Sequence, residues 1–245
     1  MSDDDVVRLE LQDEVPIADS IRLGMRSYFS PQFLWSAQHF AVLASTIETA
    51  HKGGNRHDVH HRGYVVASIQ AAVAFLEAAV NETYQDAADR HGLTDDEYLS
   101  PLPRPVVETM AELWAGTESG RKLETVAKYQ LMLTAGGVSP LAKGSQPYQD
   151  ARLAVRLRNA LMHYRPETLW SEEIDDLQKQ LHGKFAENTL MRGAGNPWWP
   201  NHCLGQGCAQ WVIHSVRALA DDVFARLNVT PNYQRLGEPL LGEEP

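Results

Sequence analysis

Apolar residues recur along this chain mainly at three- and four-residue steps. That is the period of an α-helix with one buried face. Phe33, Ala37, Phe40, Ala44 and Ile47 mark a helix over Pro31 to His51, with Ser30 placed as its N-cap. Val66, Ile69, Val73, Leu76, Val80 and Thr83 mark the strongest helix, Tyr64 to about Arg90, which His91-Gly92 would end. Gln70, Ala74, Glu77 and Asn81 form a second, more polar stripe on it. Val106 to Ala115 and Arg121 to Leu133 read as two shorter helices, separated from the next by a loop over Gly136 to Gln146. Ser171 to Phe185 reads as a helix capped by Ser171, and Ala209 to Leu227 as a last one bearing Val212, Val216, Leu219 and Val223. Strand-like alternation is scarce and no internal repeat is evident. The pattern predicts an all-α chain.

The segment Pro147 to Pro166 organises the rest. A proline in a first turn loses no intrahelical donor, and the residue before a proline is pushed out of the α region, so these two prolines bracket a helix. Leu153, Leu157, Ala160, Leu161 and Tyr164 give its apolar stripe. Arg152, Arg156, Asn159 and His163 give a polar stripe at the same spacing. Arg158 and His163 diverge by about 140° on an ideal helix, whereas Asn159 and His163 share a face. Imidazole, carboxamide and arginines together suit an anionic ligand. A carboxylate on a largely apolar helix is costly unless paired. Glu77 is therefore expected to pair with Arg158 or Arg156 and to orient it, and Asn81 to be a satisfied packing amide.

At "RNALMH", residues 158 to 163, the chain resembles the HEPN superfamily, whose signature is Arg, usually a polar residue next, and a His after four to six intervening residues. "AAVAFLEAAVNETY", Ala71 to Tyr84, is similar to the helix with Glu and Asn one turn apart that precedes the motif helix in many members. "CAQWVIHSVRALADDVFARL", Cys208 to Leu227, looks like the closing helix. The likeness covers Phe33 to Leu227 loosely and these three segments well. It implies an antiparallel helical bundle, here with additional helices and long loops. The domain would span residues 27–230, between an acidic arm at 1–26 and a C-terminal tail at 231–245.

The resemblance also implies a metal-independent RNA endonuclease. In that reaction a ribose 2′-hydroxyl attacks the adjacent phosphorus, leaving 2′,3′-cyclic phosphate and 5′-hydroxyl ends. Arg158, Asn159 and His163 would be catalytic, Glu77 and Asn81 supporting, and Arg152, Arg156 and Arg165 substrate-binding. Imidazole suits proton transfer near neutral pH by type, and a guanidinium suits phosphorane charge. A homodimer would supply two histidines to one cleft. No cofactor or metal is implied. A toxin–antitoxin or phage-defence setting follows, with RNA as substrate and a cognate antitoxin as protein partner. The alternatives are a non-catalytic HEPN-like dimer that binds a nucleotide or a protein, and an all-helical scaffold whose motif is coincidence.

Composition narrows this. A chain of 245 residues, 43% hydrophobic, can bury a large core. The formal net charge of −10 opposes nucleic-acid binding over the whole surface but allows one basic face. No apolar run is expected to reach membrane-spanning length, and the acidic start (Ser2 to Asp5) is the wrong sign for a secretory leader. With only Cys203 and Cys208, the expectation is a reducing cytoplasm and no membrane. The run from His51 to Gly63 carries four histidines and reads as a solvated loop, ahead of a basic lip for RNA or a metal site. Trp198 and Trp199 read as cover for a core edge or a partner, ahead of a platform for bases. Lys143-Gly144-Ser145 lacks the spacing of a phosphate loop.

Overall fold

The computed structural model describes residues 26–51, 56–90, 99–116, 123–165 and 176–235. Among them the chain is all-helical and contains no strand. The helices are α1 (Ser30–Ala50), α2 (Val59–Arg90), α3 (Arg104–Ala115), α4 (Thr125–Ala135), α5 (Gln146–Met162), α6 (Asp176–Leu181), α7 (Gln206–Arg226) and α8 (Asn232–Arg235).

The centre of the bundle is α2, which packs against α1, α3, α4, α5 and α7. Its expected stripe is buried at Ile69, Val73, Leu76, Val80 and Thr83, but Val65, Ala72, Phe75 and Ala79 are buried too. By length and composition alone the stretch Val59–Asp89 would pass for a membrane span, contrary to the expectation that no such run exists. In the bundle its apolar sides are covered by neighbouring helices. On α1 the buried line is Leu34, Ala37, Ala41 and Ala44, rotated by about one residue from the expected stripe; Phe33, Phe40 and Ile47 are only half-buried. Three alanines on that line let α1 approach α2 closely, and the Ser68 hydroxyl donates to the Ala37 carbonyl at 2.7 Å. In α7, Val212, Val216, Leu219 and Val223 are all fully buried, as their spacing requires.

The two long outer helices are capped from other elements. Ser30 is the first helical residue of α1, not its cap. Instead Glu82 of α2 accepts the backbone N–H groups of Phe29 and Ser30, each at 2.8 Å, and the Ser30 hydroxyl at 2.6 Å. At α7 the carboxylate of Glu48, from α1, accepts the Gln206 N–H at 2.6 Å. An anion at a helix N-terminus satisfies orphan donors and complements the dipole.

Several boundaries depart from expectation. Helix α2 begins at Val59, so His60 and His61 belong to its first turn rather than to a loop. His61 is buried, its Nε2 2.8 Å from Glu48 Oε1. The C-terminal tail does not begin at 231: Asn232 and Tyr233 are buried, and the Tyr233 ring meets Phe75 edge-on at 4.8 Å. Trp199 is buried and Trp198 is half-buried against His182, its indole N–H donated to Glu187. The expected His91-Gly92 stop, the Ser171 cap and all of the 1–26 arm but Arg26 lie outside the described residues.

Candidate functional site

Helix α5 ends at Met162, three residues short of the turn that Pro166 was expected to impose. His163 is its C-cap, with its backbone N–H donated to the Asn159 carbonyl at 2.9 Å. Tyr164 and Arg165 follow outside the helix, and Tyr164 is 52% exposed rather than part of the apolar stripe. Leu153 and Leu157 are buried and Ala160 and Leu161 half-buried, so the stripe holds for the helical part.

The polar stripe holds in full. Arg152, Arg156, Asn159 and His163 are all exposed. Spaced by four, three and four residues, they form one line along the solvent side of α5.

Arg158 stands on a different face and turns toward α2. Its Nη2 lies 3.7 Å from Glu77 Oε2, with the two side chains 25% and 45% exposed. The expected Glu77 pairing therefore goes to Arg158, while Arg156 instead reaches Asp176 and Gln180, each at 3.1 Å. The Nε of Arg158 is buried and has no hydrogen-bond partner among the described residues. One turn along α2, Asn81 accepts from Lys128 Nζ at 2.8 Å. Lys128 is buried beside the Trp114 ring, and burial pulls its pKa down against the pull of Glu77. A cluster of two acceptors and two cations thus joins α2, α4 and α5 beside the motif. Lys128 has no periodic signal that would have marked it in the sequence.

Beyond His163 the surface is mixed. Met162 is 54% exposed, and its sulfur accepts from Gln70 at 3.2 Å. Arg62 donates to Asn201 at 2.9 Å and faces Tyr164; burial lowers its pKa. Arg165 is exposed.

The first half of α5 borders a groove of about 490 Å3. Arg152 and Arg156 line it, together with Lys143 and Lys184, which sequence reasoning left unassigned. Arg152 lies over the Tyr148 ring at 5.7 Å and 3.9 Å from Glu124.

His57 and His60 are exposed, and among the described residues no three His, Cys, Asp or Glu side chains are grouped to hold a metal. Cys203 and Cys208 are buried free thiols, and burial together with the neighbouring Cys203 pushes Cys208 well above its ordinary pKa.

No protein-family model, curated protein or solved structure matches this chain.

Proposed function

We propose that the protein is a metal-independent RNA endonuclease of the HEPN type, acting as a homodimer. The observation that carries this reading is the exposed imidazole of His163 at the end of a solvent-facing line of cationic and amide groups. Arg158, on the same helix, turns toward α2 and pairs with Glu77.

In this reaction one His163 takes the proton of the ribose 2′-hydroxyl as its oxygen bonds to phosphorus. The other protonates the departing 5′-oxygen as the P–O bond breaks. Arg158 is the only arginine of the motif and supplies charge to the phosphorane oxygens. Each chain brings one motif histidine, so the acid and the base come from two copies. Met162 and Tyr164, exposed on either side of His163, offer apolar area for that contact. RNA is the substrate, and a toxin–antitoxin or phage-defence setting with a cognate antitoxin accords with the resemblance.

A second reading is a non-catalytic dimer that binds a nucleotide or a partner protein. The net charge of −10 and the neutralisation of Arg158 by Glu77 favour it.

Incubation of labelled total RNA in EDTA with wild type and His163→Ala separates the two. Cutting by wild type alone, with cyclic-phosphate ends, is the expected result. A folded dimer that never cuts leaves the binding module, and a wild-type monomer overturns both.

A further inference from the structure

We propose that the groove beside the first half of α5 seats backbone phosphates of an RNA strand, three to five nucleotides from the bond at His163. The choice of ligand rests on the proposed function, whereas the groove itself does not depend on cleavage.

Its lining carries four cations, Lys143, Arg152, Arg156 and Lys184, against one carboxylate, Asp150. Asp150 is engaged with Lys184 at 2.7 Å. Two more carboxylates sit at the rim: Asp176 beside Arg156 and Glu124 beside Arg152, 73% and 53% exposed. Pairs that open to water are weak and readily exchanged for another anion. Lys143 has no ion pair among the described residues. The chain as a whole carries −10, so a local excess of positive charge in a concave site attracts an anion that the rest of the surface repels.

A second observation lies at the same end of the helix. Ser145 occupies the N-cap position of α5 but makes no side-chain cap bond, and its hydroxyl is buried without a partner among the described residues. Ser145 lies two residues along the chain from Lys143.

Two of the groove's cations also stand on the helix face that leads to the motif. Arg156 and Arg152 precede His163 on one exposed line. At 1.5 Å rise per residue they lie about 10 and about 16 Å from it along the axis. A stacked strand advances about 3.4 Å per nucleotide. A strand cut at His163 and laid along this line therefore brings its third to fifth phosphates over the groove.

The test measures binding on the His163→Ala protein, using fluorescently labelled oligouridylates of four and ten nucleotides. The ten-mer is expected to bind at least tenfold tighter than the four-mer. Lys143→Ala/Arg152→Ala is expected to erase that gain and flatten the log K against log salt slope of the ten-mer by about 0.7 per cation removed. Lys143→Ala/Arg156→Gln, which spares the Arg152–Tyr148 contact, must behave alike. An undiminished ten-mer affinity in both folded variants overturns the proposal. So does inorganic pyrophosphate that competes as well as the ten-mer, since the groove then takes free phosphate. If wild type fails to cut RNA yet the length gain is present and lost in the variants, the nuclease reading falls and the groove stands.

Discussion

Removing the carboxylate of Glu48 should be among the most damaging single changes in the chain. Glu48 is 8% exposed, and it accepts from three directions. His61 Nε2 lies at 2.8 Å, the Gln206 N–H at 2.6 Å, and the Thr189 hydroxyl and N–H at 3.0 and 3.3 Å. One side chain thus ties α1 to α2, to the turn at Thr189–Met191 and to the start of α7. Glu48→Ala orphans the Gln206 and Thr189 amides and strands His61. A buried donor left unsatisfied costs about 1–3 kcal/mol, and partial entry of water relieves some of that. The expected loss is roughly 3–5 kcal/mol, at the upper end for a point mutation. Glu48→Gln keeps the shape and one acceptor oxygen, and should lose about 1–2 kcal/mol. Urea titration followed by helical circular dichroism at pH 7 measures both.

The same residue predicts a pH dependence. Burial raises the Glu48 carboxyl pKa, but the bonds from His61, Gln206 and Thr189 more than reverse this, and the net value lies below the ordinary 4.5. A depressed carboxyl contributes stability that is present above the unfolded pKa and disappears as pH falls through the folded one. Wild type should therefore lose stability below about pH 4.5 more steeply than Glu48→Gln. A loss under about 1 kcal/mol for Glu48→Ala, or identical acid slopes in wild type and Glu48→Gln, would refute the reasoning.

Three other outcomes follow from the packing. A Cβ on Gly207 would lie 2.4 Å from the Ala186 carbonyl oxygen, whereas one on Gly63 meets nothing within 4 Å among the described residues. Gly207→Ala should cost more than about 2 kcal/mol, and Gly63→Ala should gain about 0.5–1 kcal/mol by helix propensity, both read by denaturation. His163→Ala should leave stability within about 0.5 kcal/mol, since the side chain is exposed, so any loss of RNA cutting is chemical. Glu77→Gln should change stability by less than about 1 kcal/mol, because the pair with Arg158 is partly open to water. If Glu77 positions Arg158, cutting falls about tenfold in Glu77→Gln, and by a hundredfold or more in Arg158→Ala; unaltered cutting in Glu77→Gln would remove that role.

The sequence by itself determined what depends on local period. Helical spacing placed the buried valines of α7, the core face of α2 and the exposed line from Arg152 to His163. The rule that a carboxylate on a largely apolar helix needs a partner pointed Glu77 to Arg158 or Arg156, and the structure gives it to Arg158. Only the tertiary structure decided what caps the long helices, because their acceptors come from afar: Glu82 lies 52 residues from Ser30, and Glu48 lies 158 residues from Gln206. No local signal marks such a cap. The same holds for the burial of His61 and Lys128, for the seating of Tyr233 in the core, and for Lys143 and Lys184 sharing a groove with Arg152 and Arg156. Periodicity states which face of a helix is apolar. Which polar groups meet across helices is set by how the bundle closes, and that is where the site acquires its charge.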